Sequence, residues 1–295
     1  MNATKVGLLA ALLLVNAAFV VGWFWARRRH GLIGRPGAAD LGIGFITDFL
    51  DTLGIGSYAT TTALFKFRGR PADELIPGTL NVGHNGAAFL ETVLFVTAVP
   101  VEPLLLGCMV ASATAGAWLG AGIVSRLPRR AIQLFMGVAL LVAAFFFTMK
   151  NLGAFPPGGA ALGLAGWRFI FAVGCNFVFG ALMCIGIGNY APTMIVLALL
   201  GLNPLAAFPI MMCSDGILQP VASLGFFRSG RFAQAPALGL VVGGAVGVLV
   251  AFFIVKQLPL TAMRWLVIVV VSYAALSMLR SARNAAARQP QVALP

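Results

Sequence analysis

Asp48, Asp51, His84, Asn85, Glu91 and Asp215 fall inside stretches of sequence that are otherwise apolar. A carboxylate at the centre of a bilayer costs about 2.5–3.5 kcal/mol on insertion scales, so such groups face a pathway or a partner. Carboxyl groups taken out of water hold their protons closer to neutral pH. Proton carriage is therefore the chemistry these residues suit, and Asp51, His84, Asp215 and Glu91 are the proton-coupling candidates. For His84 and Asp215 a structural hydrogen bond is an equal reading. Glu91 also suits a buried contact between helices, and Asp48 is expected near the membrane surface at the start of its segment.

A second constellation is a repeated block. LGIGSYATTTALF begins at Leu53 and IGIGNYAPTMIVL at Ile185, 132 positions later. Glycine in a helix interior costs about 1 kcal/mol against alanine, so paired glycines mark a break in each segment. Broken helices persist at membrane depth where protein or a water-filled cavity satisfies the freed backbone. The helix restarting after each break has N–H groups without intrahelical partners. Ser57 and Asn189, placed after the second glycine, are strong cap types. Such helix starts are ready-made anion sites. The candidate substrate-binding residues are Gly54, Gly56, Ser57, Tyr58, Gly188, Asn189, Tyr190 and Thr193. The competing reading is close helix packing on small residues. No lysine or arginine is clearly placed at mid-depth, so neutral donors must hold an anion and the carboxyls are left for protons. Cys184 and Cys213, beside the second block, suit packing better than contact with a substrate.

The elements that must position these residues are membrane helices. Of 295 residues, 60% are hydrophobic and 9% charged, against roughly 25% charged in a soluble domain. Apolar runs near 6–26, 41–65, 77–99, 103–124, 131–149, 168–200, 205–227, 234–255 and 261–279 predict an all-α polytopic membrane protein. The net charge of +12 lies in short loops and reads as a topology determinant, not as a nucleic-acid surface. The first run is expected to stay as a membrane anchor, because its basic cluster, Arg27–Arg29, follows it. The four cysteines form no CxxC or Cys/His cluster, so neither zinc nor a disulfide framework is implied. No cofactor or metal is expected.

Matches at the 132-residue offset include Gly54/Gly186, Gly56/Gly188, Tyr58/Tyr190, Thr61/Thr193 and Pro77/Pro209. After a one-residue slip, Leu127-Pro128 meets Leu258-Pro259. The organisation is an extra N-terminal helix with a basic loop (1–35), repeat 1 (36–152), repeat 2 (153–284) and a polar tail (285–295). Nine straight crossings would split the basic residues eleven to nine. Treating 41–65 and 176–200 as hairpins that enter and leave on one side splits them fifteen to five, a clear positive-inside pattern. Each repeat then holds a hairpin and three spans, so the second is inverted, a common plan for secondary transporters. A single tilted, broken helix is the other reading of each 25-residue segment.

The two glycine-rich blocks, PGTLNVG at 77–83, and RLPRRAIQLFMG with QLPLTAMRWLV in the last span of each half together resemble the TauE/SafE family of sulfite and organosulfonate exporters, over about residues 41–280. The resemblance implies proton-driven export of a small sulfur anion across a bacterial inner membrane, with the N-terminus outside and the C-terminus cytoplasmic. Ser57-Tyr58 and Asn189-Tyr190 stand where the family carries further glycines, a departure that bears on the substrate. A passive anion channel and a non-transport scaffold are the alternatives. With two histidines and no HExxH or GxSxG motif, the chain is not expected to be an enzyme. The expected partners are the anion, protons and lipid, not nucleic acid; a homo-oligomer stays open.

Overall fold

The computed structural model describes residues 3–186, 188–253 and 260–287, which form α-helices and no strand. In order these are α1 (Ala3–Arg29), α2 (Ala38–Thr52), α3 (Ser57–Arg68), α4 (Ile76–Gly83), α5 (Asn85–Ala98), α6 (Pro103–Val124), α7 (Arg129–Asn151), α8 (Gly166–Met183), α9 (Tyr190–Leu199), α10 (Pro204–Ser229), α11 (Gln234–Phe253) and α12 (Leu260–Ala287). Helices α1, α6, α7, α8, α10 and α11 are long and apolar enough to cross a bilayer. The chain is a multi-pass helical membrane protein.

Three apolar runs are divided. The run at 77–99 bends at His84, whose backbone stays helical (φ −77°, ψ −6°). Its neighbours Gly83, Asn85 and Gly86 are weak helix formers, so this is a kink and not a reversal. The runs at 41–65 and 168–200 do reverse. Arg68 at the end of α3 donates to Asp40 in the first turn of α2, at 2.6 Å. Arg168 in the first turn of α8 donates to the carbonyl of Leu200, just past α9, at 3.4 Å. The loop before α8 is stitched to the same point by Asn203 N–H on Ala161 O, 2.7 Å, and Gly159 N–H on Leu202 O, 3.1 Å. Each pair of helices is thus a V with its open ends together. The second V begins at Gly166, ten residues before the expected 176, because the helix persists through the Gly174–Cys175–Asn176 stretch.

Contacts fix the relative directions. Asp40 meets Gly239, and Asp48 meets Gly244, so α2 and α11 run parallel. Asn176 Nδ2 donates to Met109 O at 2.7 Å and Cys184 Sγ to Ala117 O at 3.2 Å, so α6 and α8 also run parallel. Without a hydrophobic driving force between helices in lipid, close approach of small residues supplies van der Waals contact instead. Gly44, for example, brings α2 so close that an added Cβ would lie 2.7 Å from Gly239 O. α7 lies antiparallel to α12, with Gly137 against Leu279 and Asn151 against Arg264. α1 lies along α10, through Asn16 to Gly216 O (3.4 Å) and His30 to Phe227 O (3.0 Å).

Arg27–Arg29, Arg68, Arg126, Arg129 and Arg228 consequently gather at one end, the basic end, toward which α1, α6, α8 and α10 run. The polar tail expected from 285 is helical up to Ala287. Ile187, Lys256, Leu258-Pro259 and Arg288 lie outside the described residues.

Candidate functional site

The tip of each V is set by glycine. Gly54 (φ +87°), Gly56 (φ +67°) and Gly186 (φ +102°) occupy the left-handed region, which other L-residues enter only with strain. The expected caps differ in detail. Gly56, not Ser57, is the residue before α3, and no side chain caps that helix. The Ser57 hydroxyl instead turns back to donate to Asp51 Oδ2 at 2.6 Å. Asn189 does stand before α9, yet its amide is used elsewhere: Nδ2 donates to Asp215 Oδ1 at 3.4 Å, and Oδ1 accepts from the Thr193 hydroxyl at 2.5 Å. Both side chains are captured by neighbouring polar groups: the Asp51 carboxyl takes the Ser57 backbone N–H as well as its hydroxyl, and the Asn189 side chain does not cap α9.

The two tips meet. A Cβ at Gly54 would lie 2.9 Å from the Tyr190 hydroxyl, and one at Gly188 would lie 3.8 Å from Tyr58 Cβ. Between them is a small, mainly apolar cavity of about 40 Å³, lined by Gly56, Tyr58, Ala59, Gly188, Tyr190 and Pro192 and, from α7, by Ala139, Val142, Ala143, Phe146 and Phe147. That is room for a few water-sized groups. The hydroxyls of Tyr58 and Tyr190 are buried and have no hydrogen-bond partner among the described residues, an arrangement that costs free energy unless something else meets them.

Around this contact lie two polar networks. In the first, Asp48 Oδ1 is 2.7 Å from His84 Nδ1, and His84 Nε2 is 3.0 Å from Thr61 Oγ1. The Tyr58 ring lies 5.5 Å from the imidazole. Asp48 is 0% exposed and lies two helical turns past Asp40, the partner of Arg68 at the basic end, deeper in the bundle than its expected place near the membrane surface. The reason is its neighbour: Gly244 of α11 has no side chain, and the Asp48 carboxylate fills the space. A sequence signal existed, since Asp40, Gly44, Thr47, Asp48 and Asp51 recur at helical spacing on one face of α2. Nearby, the Thr52 hydroxyl donates to Glu91 Oε1 at 2.7 Å.

In the second network the Thr193 hydroxyl is shared between Asn189 and Asn176 (3.1 Å to Asn176 Oδ1), and Asn176 also reaches Ser214 Oγ at 3.5 Å. Thr61 and Thr193 are mates at the 132-residue offset; Thr61 ends the first chain, and Thr193 joins the two asparagines of the second. Asn85 stands apart, donating to Asn16 of α1 at 2.9 Å. Cys184 and Cys213 are buried among helices, in keeping with packing.

Lys150 and Arg264 were not among the expected site residues. Lys150 Nζ would be 3.7 Å from a Cβ on Gly54 and lies 5.9 Å from the Tyr190 ring centre. Lys150 falls just past the apolar run at 131–149, and Arg264 lies near the start of the run at 261–279.

No family model, curated protein or solved structure matches the chain.

The tip geometry carries a stability expectation. Gly54→Ala places a Cβ against Tyr190 in a left-handed backbone and is expected to lower stability by at least about 1–2 kcal/mol. Gly188→Ala, at an ordinary φ and with 3.8 Å of clearance, is expected to change it by no more than about 0.5 kcal/mol. Paired thermal unfolding curves of the two variants in detergent check this; equal losses would remove the distinction between the glycines.

Proposed function

We propose that the chain is a secondary transporter for a small sulfur-containing oxyanion, sulfite or an organosulfonate, coupled to protons and working by alternating access around the two glycine breaks. The observation that carries this reading is the meeting of the two tips, Gly54 with Tyr190 and Gly188 with Tyr58, around one small cavity. The start of each helix lines it through Gly56 and Gly188, and the two buried tyrosine hydroxyls remain available as donors. Such convergence of discontinuous helices is how inverted-repeat carriers hold charged substrates. The choice of a sulfur anion rests on the resemblance of the glycine-rich blocks to TauE/SafE exporters.

With the basic end placed in the cytoplasm by the positive-inside rule, α1 runs inward and the first V opens to the inside. α6 runs inward too, so α8, parallel to it, enters from outside and the second V opens outward. The two repeats are then inverted re-entrant hairpins, each followed by three spans. The N-terminus lies outside, and the C-terminus in the cytoplasm of a bacterial inner membrane. The carboxyls distribute unequally: Asp48, Asp51 and Glu91 belong to the first repeat, while the second offers Asn176, Asn189 and Thr193 with Asp215. This supports a division in which the first repeat carries protons through Asp51, His84 and Glu91, with Asp215 joining from the other side, and the neutral groups of the second hold the anion.

The test is flux in proteoliposomes, with sulfite beside sulfate, thiosulfate and sulfoacetate, with and without a pH gradient. Selective, gradient-dependent sulfite movement that falls at least about tenfold in Asn189→Ala and in Asp215→Asn, the worth of one hydrogen bond to a charged group, is the expected result. Flux indifferent to the gradient would make the protein a channel. No flux of any anion from folded protein would favour a scaffold and end the transport reading.

A further inference from the structure

The bundle treats its cations differently at its two ends. At the basic end the partly buried Lys66 is paired with Asp73 at 2.8 Å, and even the exposed Arg68 and Arg129 have carboxylates, Asp40 at 2.6 Å and Glu74 at 3.2 Å. At the opposite end Lys150, in the last turn of α7, makes no hydrogen bond or ion pair among the described residues; its neighbours are the rings of Tyr190 and Phe155, at 5.9 and 5.8 Å. Among the described residues Arg264 of α12 donates to the Asn151 side chain, at 3.4 Å, and its Nε is buried with no hydrogen-bond partner. The two cations are close enough to repel one another. Holding two like charges half out of water without a carboxylate is costly, unless an anion visits them.

Their position gives the visit a purpose. Lys150 lies one helical turn beyond Phe147, which walls the cavity, and beside Gly54 at the tip of the first V. Tyr190 is common to both places: its ring carries the lysine, and it also lines the cavity. We infer that Lys150 and Arg264 form a docking site for a small oxyanion at the outer mouth, from which the ion passes Tyr190 into the cavity or leaves it. Lys150 supplies a point charge, and Arg264 the planar fork suited to paired oxygens. This rests on the transport reading and adds to it a second, outer site with its own residues.

Four lysines occur in the chain, at 5, 66, 150 and 256, few enough to follow singly. Reductive methylation with ¹³C-formaldehyde keeps their charge, and Lys150→Arg assigns the Lys150 resonance. Titrated with sodium sulfite at constant ionic strength, that resonance is expected to shift saturably, and chloride is expected not to move it. Arg264→Gln should weaken the apparent affinity by about tenfold, as loss of one charge-assisted contact implies. In proteoliposomes, Lys150→Met should raise KM for sulfite offered at the outer face by about tenfold while leaving the maximal rate within about twofold. A resonance unmoved by sulfite, sulfate and sulfoacetate, or moved equally by chloride, would overturn the site even if transport proceeds. A saturable shift without flux of any anion would keep the site and sink the carrier reading instead.

Discussion

Gly180→Leu is expected to prevent the bundle from assembling, whereas Gly174→Leu on the same helix should be tolerated. α8 and α6 touch backbone to backbone. A Cβ at Gly180 would be driven into the carbonyl oxygen of Ala113, and the reciprocal position on α6, Gly116, presses on the carbonyl of Phe177. Neither neighbour is a flexible side-chain end that could swing away. The helices would have to separate, and with them would go the bonds from Asn176 to Met109 O and from Cys184 to Ala117 O that cross the seam. Overpacking of this kind costs about 1–3 kcal/mol in forgiving sites and more where backbone is the obstacle. Gly174 has nothing within 4 Å of its added Cβ, so the same substitution there changes only surface. Size-exclusion profiles and thermal unfolding in detergent distinguish the two. Comparable Tm values for both variants would mean that the α6–α8 approach is not a close one in the protein.

The same seam explains which parts of this molecule could be read from sequence. The Gly-x-Gly blocks announced the helix breaks, since three of the four glycines occupy left-handed backbone that few other residues accept. The charge of the loops carried a second signal, because a chain that turns back near 54 and 186 gathers most of its arginines at one end. What escaped were properties of a residue's neighbours across helices. Asp48 looked superficial because its own segment begins nearby, yet its environment is decided by the absent side chain of Gly244, nearly 200 positions away. Ser57 and Asn189 looked like caps because their types are cap types, and they were diverted by Asp51, Asp215 and Thr193, which only the fold brings close. Lys150 looked like a loop cation because it stands at a helix end. The first V, however, reaches most of the way across the bundle, and its tip arrives beside it. Asn176 lay in an apolar run with no partner in view until Thr193 came back along α9.

His84→Gln should uncouple flux from the pH gradient without stopping anion movement. His84 sits in the kink between α4 and α5 and links Asp48 of α2 to Thr61 of α3, at 2.7 and 3.0 Å. It therefore connects both arms of the first V and the helix beside them. Imidazole is the side chain best able to take and release a proton near neutral pH. A glutamine of similar reach can bond to the same two partners but holds no exchangeable charge. If the Asp48–His84–Thr61 chain couples protons, sulfite accumulation driven by a pH gradient should drop by at least about tenfold, the factor one hydrogen bond to a charged group is worth. Sulfite–sulfite exchange at equal pH should stay within about twofold, because the substitution leaves in place the tyrosine hydroxyls and the second V proposed to hold the anion. Asp48→Asn should behave alike, since neutralising a buried carboxylate removes the charge and keeps the shape. Loss of exchange together with accumulation, accompanied by a lower Tm, would make the triad a structural clasp between α2, α3 and α4. Accumulation that survives in both variants would exclude this chain and move the coupling to the carboxyls nearer the tips, Asp51 with its Ser57 bond and Asp215 with its Asn189 bond. Those two lie within electrostatic reach of one another, so a proton held by either would be felt by the repeat proposed to hold the anion.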